Sequence, residues 1–184
     1  VENVSRKPLQ GRSKASLERM LLTARDLMLE RGDEDFTLQD VSQRGNVSIG
    51  SIYLRFESKE NLVRAVIANF LDTLAEEENA MFNSIMVEST SLGTFVPAYA
   101  EVLRMNAPLL RLSMRRAASD PLVQGPGKER AFAAAAAGTG AMLAFRQEFG
   151  GNDHQTKASA AFQIIYATLA RELNLGIQGE AANN

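Results

Sequence analysis

Apolar residues at Leu17, Met20, Leu21, Ala24, Leu27 and Met28 recur at the three- and four-residue spacing that turns one face of a helix towards a core. The spacing predicts a helix over 17–31, closed by Gly32. Residues 1–13 before it are polar, contain Pro8 and Gly11, and are expected to be disordered when free. Two shorter apolar edges follow. Leu38 and Val41 give the first, with Thr37 as its N-cap and Asp40 three residues on. Ile52 and Phe56 give the second, with Ser48 as its cap and Ile49, Ser51 and Arg55 on the outer face. Between them Gly45 and Asn46 supply a stop and a tight turn, because both residues tolerate the left-handed backbone.

Ser58 caps what comes next, a helix from Lys59 to about Ser84 with Leu62, Val66, Phe70, Leu74 and Met81 along one side. A break at 89–93 precedes a helix from Phe95 to Met105, with Pro97 in its first turn, and Pro108 is expected to open a further helix to Ala118. Asp120-Pro121 and Gly125-Pro126-Gly127 punctuate the chain again. Two long helices are expected over 128–149 and 155–175, both rich in alanine, separated by Gly150-Gly151-Asn152. Strand-like alternation is absent from the pattern, so the fold class expected is all-α.

Composition narrows this picture. With 184 residues and 45% hydrophobic content, the chain can build one sizeable core, or a small domain joined to a larger one. No run of about 18 apolar residues suggests a membrane span. The polar, basic start of the chain does not read as a secretory signal, and there is no cysteine for a disulfide or a thiolate metal site. A cytoplasmic protein without metal or cofactor is expected. The formal charge of −2 does not by itself suggest a nucleic-acid partner. Its distribution does: Arg6, Lys7, Arg12 and Lys14 face only Glu2 in the first fourteen residues, and Arg44, Arg55 and Lys59 surround the two short helices.

Two short helices joined by a three- or four-residue turn make a helix-turn-helix, whose second helix enters a DNA major groove. The run Val47-Ser48-x-Gly50-x-x-Tyr53-x-x-Phe56-x-Ser58-Lys59-Glu60-x-Leu62 resembles the DNA-binding signature of the TetR family, the tetracycline-repressor-like regulators. Met20, Leu21, Ala24, Leu27, Met28 and Gly32 are similar to that family's first helix, so the likeness covers about the first third of the chain. Two positions depart from the pattern: Gly45-Asn46 replaces the usual Ala-Gly, and Arg55 replaces a His or Tyr. Asn46 can still make the turn, and Arg55 can still reach a phosphate.

The resemblance implies an N-terminal helix-turn-helix domain, 1–60, and a helical effector-binding and dimerisation domain, 61–184. The DNA contacts expected are Thr37, Arg44, Ser48, Ile49, Gly50, Ser51, Tyr53, Arg55 and Lys59. Lys59 suits a phosphate because it opens a helix. Ile49 either meets a thymine methyl or packs inside the domain, and Gly50 is small either to admit the DNA or to pack on a neighbouring helix. Phe70, Leu74, Phe95, Tyr99, Leu103, Met114, Arg115 and Phe132 are candidates to line an effector cavity, with ordinary core packing as the alternative for each. A lining of this kind suits a small hydrophobic or aromatic effector.

Small residues beside large apolar ones in the last two helices allow close helix packing, and the resemblance implies a homodimer joined there. Ala135, Thr139, Met142, Ala161, Ile164, Ile165 and Thr168 are the candidate interface residues. The expected function is a ligand-responsive repressor bound as a homodimer to a palindromic double-stranded DNA operator. The alternative is a helical small-molecule-binding or scaffolding protein that uses the helix-turn-helix for protein contacts. A lone His154, scattered carboxylates and glycines without a P-loop lysine give no support to an enzyme.

Overall fold

The computed structural model describes residues 8–88 and 91–181, and side chains over 13–88 and 91–172. Every regular element among these residues is helical: α1 (Pro8–Arg31), α2 (Leu38–Arg44), α3 (Ile49–Tyr53), α4 (Lys59–Glu88), α5 (Phe95–Ala117), α6 (Pro121–Leu143) and α7 (His154–Ala181), with short 3-10 turns at Leu92–Thr94 and Arg146–Glu148. The chain divides into two compact units, one ending at Asn69 and the other beginning at Phe70, and α4 contributes to both.

In the first unit the apolar stripe of α1 (Met20, Ala24, Leu27, Met28) is buried together with Phe36, Leu38, Val41, Val47, Ile52, Phe56, Leu62, Val63 and Val66. A helix of five residues such as α3 cannot hold itself together. Its buried Ile52 and the core around it do so. α1 starts at Pro8, earlier than the polar composition predicts, and proline suits a first helical position because it has no N–H to leave unpaired. The expected basic arm lies partly outside the described residues, since Arg6 and Lys7 fall within 1–7.

The second unit is centred on an aromatic cluster. Phe82 stacks on Phe95 with centroids 5.6 Å apart, and Phe162 lies 5.5 Å from Tyr99 and 6.2 Å from both Phe82 and Phe95. Leu103, Ala141, Met142, Phe145 and Ala158 complete this core. At Gly138 α6 lies hard against α7: a Cβ there would stand 2.0 Å from the Phe162 ring.

Several boundaries differ from those the sequence predicts. α5 runs unbroken through Pro108, which was expected to open a new helix. A proline inside a helix costs about 3 kcal/mol. Leu103, Ala107, Leu109 and Leu112 are buried on both sides of it, and each buried leucine returns roughly 1.5–3 kcal/mol. α6 starts at Pro121 and carries Pro126 inside it, so Gly125-Pro126-Gly127 is no break. Its start is set by Asp120, whose Oδ1 accepts from the N–H of Leu122 at 3.1 Å. α6 stops at Leu143, short of the expected Phe149, where the chain turns inward to bury Phe145. Glu148 then accepts from the N–H of Leu92 at 2.9 Å. α4 continues to Glu88 and α7 to Ala181, both past the lengths expected.

Candidate functional site

The geometry of the first unit is set by a few short-range bonds. Thr37 and Asp40 form a reciprocal capping box at the start of α2: the Asp40 N–H donates to Thr37 Oγ1 at 3.0 Å, and the Thr37 N–H donates to Asp40 Oδ2 at 2.9 Å. The second bond, helped by the side-chain bond to Thr37 and by Arg31, holds the Asp40 carboxyl below its ordinary value. At the other end of α2, Asn46 takes φ +47°, the left-handed conformation its residue type allows. Gly45 has an ordinary φ and a different constraint: a Cβ there would lie 2.8 Å from both Thr23 Oγ1 and the Val41 carbonyl. Ser42 closes the turn by donating to the Val47 carbonyl at 2.7 Å, and Ser48 caps α3 by accepting from the N–H of Ser51 at 3.1 Å.

With Ile52 and Phe56 buried, the rest of α3 faces outward. Ser48, Gly50 and Tyr53 are exposed, and Ile49 and Ser51 are half-buried. A Cβ at Gly50 would meet nothing within 4 Å among the described residues outside its own helix, so their packing does not account for the glycine. Leu54, which the sequence reading did not include, is 88% exposed beside Tyr53 at 58%. Its signal in the sequence was the neighbouring core assignment of Ile52 and Phe56, which leaves Tyr53 and Leu54 to point away.

The three cations at this surface are each held by their own chain. Arg44 makes a two-pronged ion pair with Glu30, and that bond draws the Glu30 carboxyl below its usual range and raises the Arg44 guanidinium. Arg55 donates from Nη2 to the Ser13 carbonyl at 2.9 Å and also contacts the Ser13 hydroxyl. Lys59 Nζ donates to the Glu34 carbonyl at 3.0 Å and lies 5.6 Å from the centroid of the Phe36 ring. Thr37 is exposed, with its side chain committed to the cap.

In the second unit a cavity of about 200 Å³ is lined by Leu71, Leu110, Ser113, Met114, Ala117, Val123, Gln124, Gly127, Lys128, Arg130, Ala131 and Tyr166. Of the residues expected to line a cavity, Met114 does so. Phe70, Leu74, Phe95, Tyr99 and Leu103 are buried core, Arg115 is exposed and off this wall, and Phe132 is 76% exposed. The expected interface residues divide similarly. Thr139 and Met142 are buried within their own chain; Ala135, Ala161 and Ile165 are partly buried against its core; Ile164 and Thr168 are exposed. Helical spacing identifies a residue as inward or outward, and both Thr139 and Met142 are corrected to the inward side: Met142 packs in the aromatic core and Thr139 is buried on α6.

Among the described residues no group of three or more His, Cys, Asp and Glu is placed to hold a metal, and no helix is long and apolar enough to cross a membrane. The arrangement of the first unit is a helix-turn-helix, one that many DNA-binding proteins use. Residues 21–66 match the model of bacterial regulatory proteins of the tetR family. The fold of the whole is shared with solved regulators. A TetR-family regulator from Mesorhizobium loti superposes with a TM-score of 0.70 at 14% identity, over 88% of this chain and 85% of that one. GusR from Salmonella enterica gives 0.68 at 20% identity, over 100% and 91%. A transcriptional regulator from Aquifex aeolicus gives 0.61 at 20% identity, over 88% and 85%. No curated protein matches the sequence. The chain therefore shares its fold with these solved regulators, and residues 21–66 are similar to the tetR family's model.

Proposed function

We propose that the protein is a ligand-responsive repressor that binds a palindromic operator as a homodimer. The division of labour falls near residue 60, with DNA binding before it and effector binding and pairing after it. The observation that supports this reading is the outward side of α3 and its C-cap, where Gly50, Tyr53 and Leu54 are exposed and Ile49 and Ser51 are half-buried. Ile49 and Ser51 select sequence from the major groove, and Thr37, Arg44, Ser48, Tyr53, Arg55 and Lys59 grip phosphates around it. Pairing through α6 and α7 is supported by the exposure of Phe132 and Ile164, large apolar side chains that a lone chain would leave in water. An effector in the cavity of the second unit would favour one state of the dimer over another and so change operator affinity. Since α4 passes without interruption from one unit to the other, it is the element through which such a change would travel.

Fluorescence anisotropy with the operator and with random DNA, across a salt series, tests the reading. Arg55→Ala and Lys59→Ala should weaken binding to every sequence and each flatten the salt slope by about 1. Ile49→Ala and Ser51→Ala should leave the slope intact and change which sequence is preferred. Identical behaviour of the two groups would refute the assignment, and a salt-independent, sequence-blind association would refute DNA regulation altogether.

A further inference from the structure

The cavity of the second unit has an uneven wall. Leu71, Leu110, Met114, Val123 and Ala131 make it apolar, and its charged members are two cations, Lys128 and Arg130, with no carboxylate among the lining residues. Lys128 is exposed. Arg130 is not: its side chain is only 10% exposed, and Nη2 lies 2.5 Å from Oε2 of Glu78, which is itself 2% exposed. The other oxygen of Glu78 accepts from the Tyr99 hydroxyl at 3.2 Å.

Both oxygens of this acid are therefore engaged, whereas the arginine is underused. A guanidinium offers five N–H donors in a fixed fork. Here Nε is enclosed without a hydrogen-bond partner among the described residues, and Nη2 is ion-paired with Glu78 alone. Buried donors left in this condition are costly, and a second carboxylate is the group that fits a guanidinium fork best. Burial pushes the Glu78 carboxyl up despite the arginine beside it.

Size limits the ligand further. An apolar cavity of about 150 Å³ holds one benzene ring, so 200 Å³ admits one ring, or a short alkyl chain, with a small head group. We propose that this cavity binds a small amphipathic monocarboxylate, its apolar body against Leu110, Met114 and Val123 and its carboxylate on Arg130. Its role as the effector rests on the regulator reading above; its binding does not.

Calorimetric titration of the full chain with benzoate, phenylacetate and hexanoate, each beside its uncharged primary amide, tests the assignment. At least one acid is expected to bind ten-fold or more tightly than its amide. Arg130→Met should erase that preference, and Ala117→Phe, which fills the cavity, should abolish binding of both. The comparison of acid with amide on the unmodified chain decides the matter even if a variant does not fold. Amides binding as tightly as acids, or none of the three acids binding, would overturn the proposal. Operator binding measured in parallel separates the two readings: intact DNA binding without acid binding removes only the ligand class, and acid binding without DNA binding removes only the regulator.

Discussion

Gly138 and Gly140 lie two residues apart in α6, and replacing each with alanine should move stability in opposite directions. A Cβ at Gly138 would fall 2.0, 2.4 and 2.9 Å from three atoms of the Phe162 ring, where carbon atoms ordinarily rest about 3.5–4.0 Å apart. The ring cannot easily retreat, because Tyr99, Phe82 and Phe95 surround it with centroids 5.5, 6.2 and 6.2 Å away. Overpacking of this kind costs about 1–3 kcal/mol, and the overlap here belongs at the upper end. Alanine recovers about 1 kcal/mol over glycine within a helix. The net expectation for Gly138→Ala is a loss of about 2 kcal/mol, read as a fall in Tm of roughly 4–8 °C for a chain of this size. At Gly140, which is exposed, the added Cβ meets nothing, so Gly140→Ala keeps the helical gain and should be neutral or stabilising by up to about 1 kcal/mol. Thermal and urea unfolding of the two variants, and of Gly138→Ala combined with Phe162→Leu, gives the measurement. The double variant should be less destabilised than the two single changes added together. Equal stability of Gly138→Ala and Gly140→Ala would show that α6 does not approach Phe162 as described.

Asn46→Val should cost roughly 1–2 kcal/mol and weaken DNA binding, because a β-branched residue resists φ +47°, whereas Asn46→Gly should be tolerated; chemical denaturation of the pair checks this. Asp40→Asn should lower stability at neutral pH by weakening the capping box. The folded Asp40 carboxyl sits below its ordinary value of 3.8, so its contribution is present above that value and disappears as pH falls through the depressed one. The stability gap between wild type and Asp40→Asn should therefore close in acid, and a Tm series from neutral to strongly acidic pH would expose a gap that stays constant. Ile164→Glu, at an exposed apolar position of α7, should leave the fold intact and shift sedimentation from dimer to monomer; an unchanged dimer would place the pairing face elsewhere.

The helix-turn-helix was legible because its determinants are local. Capping by Thr37 and Ser48, the turn at Gly45-Asn46, and the inward spacing of Ile52 and Phe56 are all decided within a few residues. Boundaries set by distant packing were not legible. Pro108 and Pro126 carry strong local signals for a break, yet burial along α5 and the cap at Asp120 decide the helices there. The same limit applies to the cavity. Periodicity marks Phe95, Tyr99 and Leu103 as inward but does not say whether they meet a void or another ring, and here they meet rings. Arg130 had no local signal at all, since the partner that makes it unusual, Glu78, lies on another helix far away in the sequence.

The two sites treat positive charge differently, and the difference follows from solvent. Arg44 is paired with Glu30 at an exposed surface, where water screens the pair and exchanging the carboxylate for a phosphate forfeits little. On the reading proposed above, such a pair would orient the guanidinium before DNA arrives and still release it. Arg55, tied to Ser13, and the half-buried Lys59, tied to a backbone carbonyl, are exchangeable for another reason: neutral oxygens are weaker partners for a cation than a phosphate. Around Arg130 there is little water to replace a lost partner, so its pairing with Glu78 is not an exchangeable surface contact. On the ligand proposed above, a carboxylate would add bonds to a guanidinium whose Nε has no hydrogen-bond partner among the described residues. Exposed cations suit a long, regular polyanion that is bound and released as conditions change, and an enclosed arginine suits one small anion recognised by shape as well as charge.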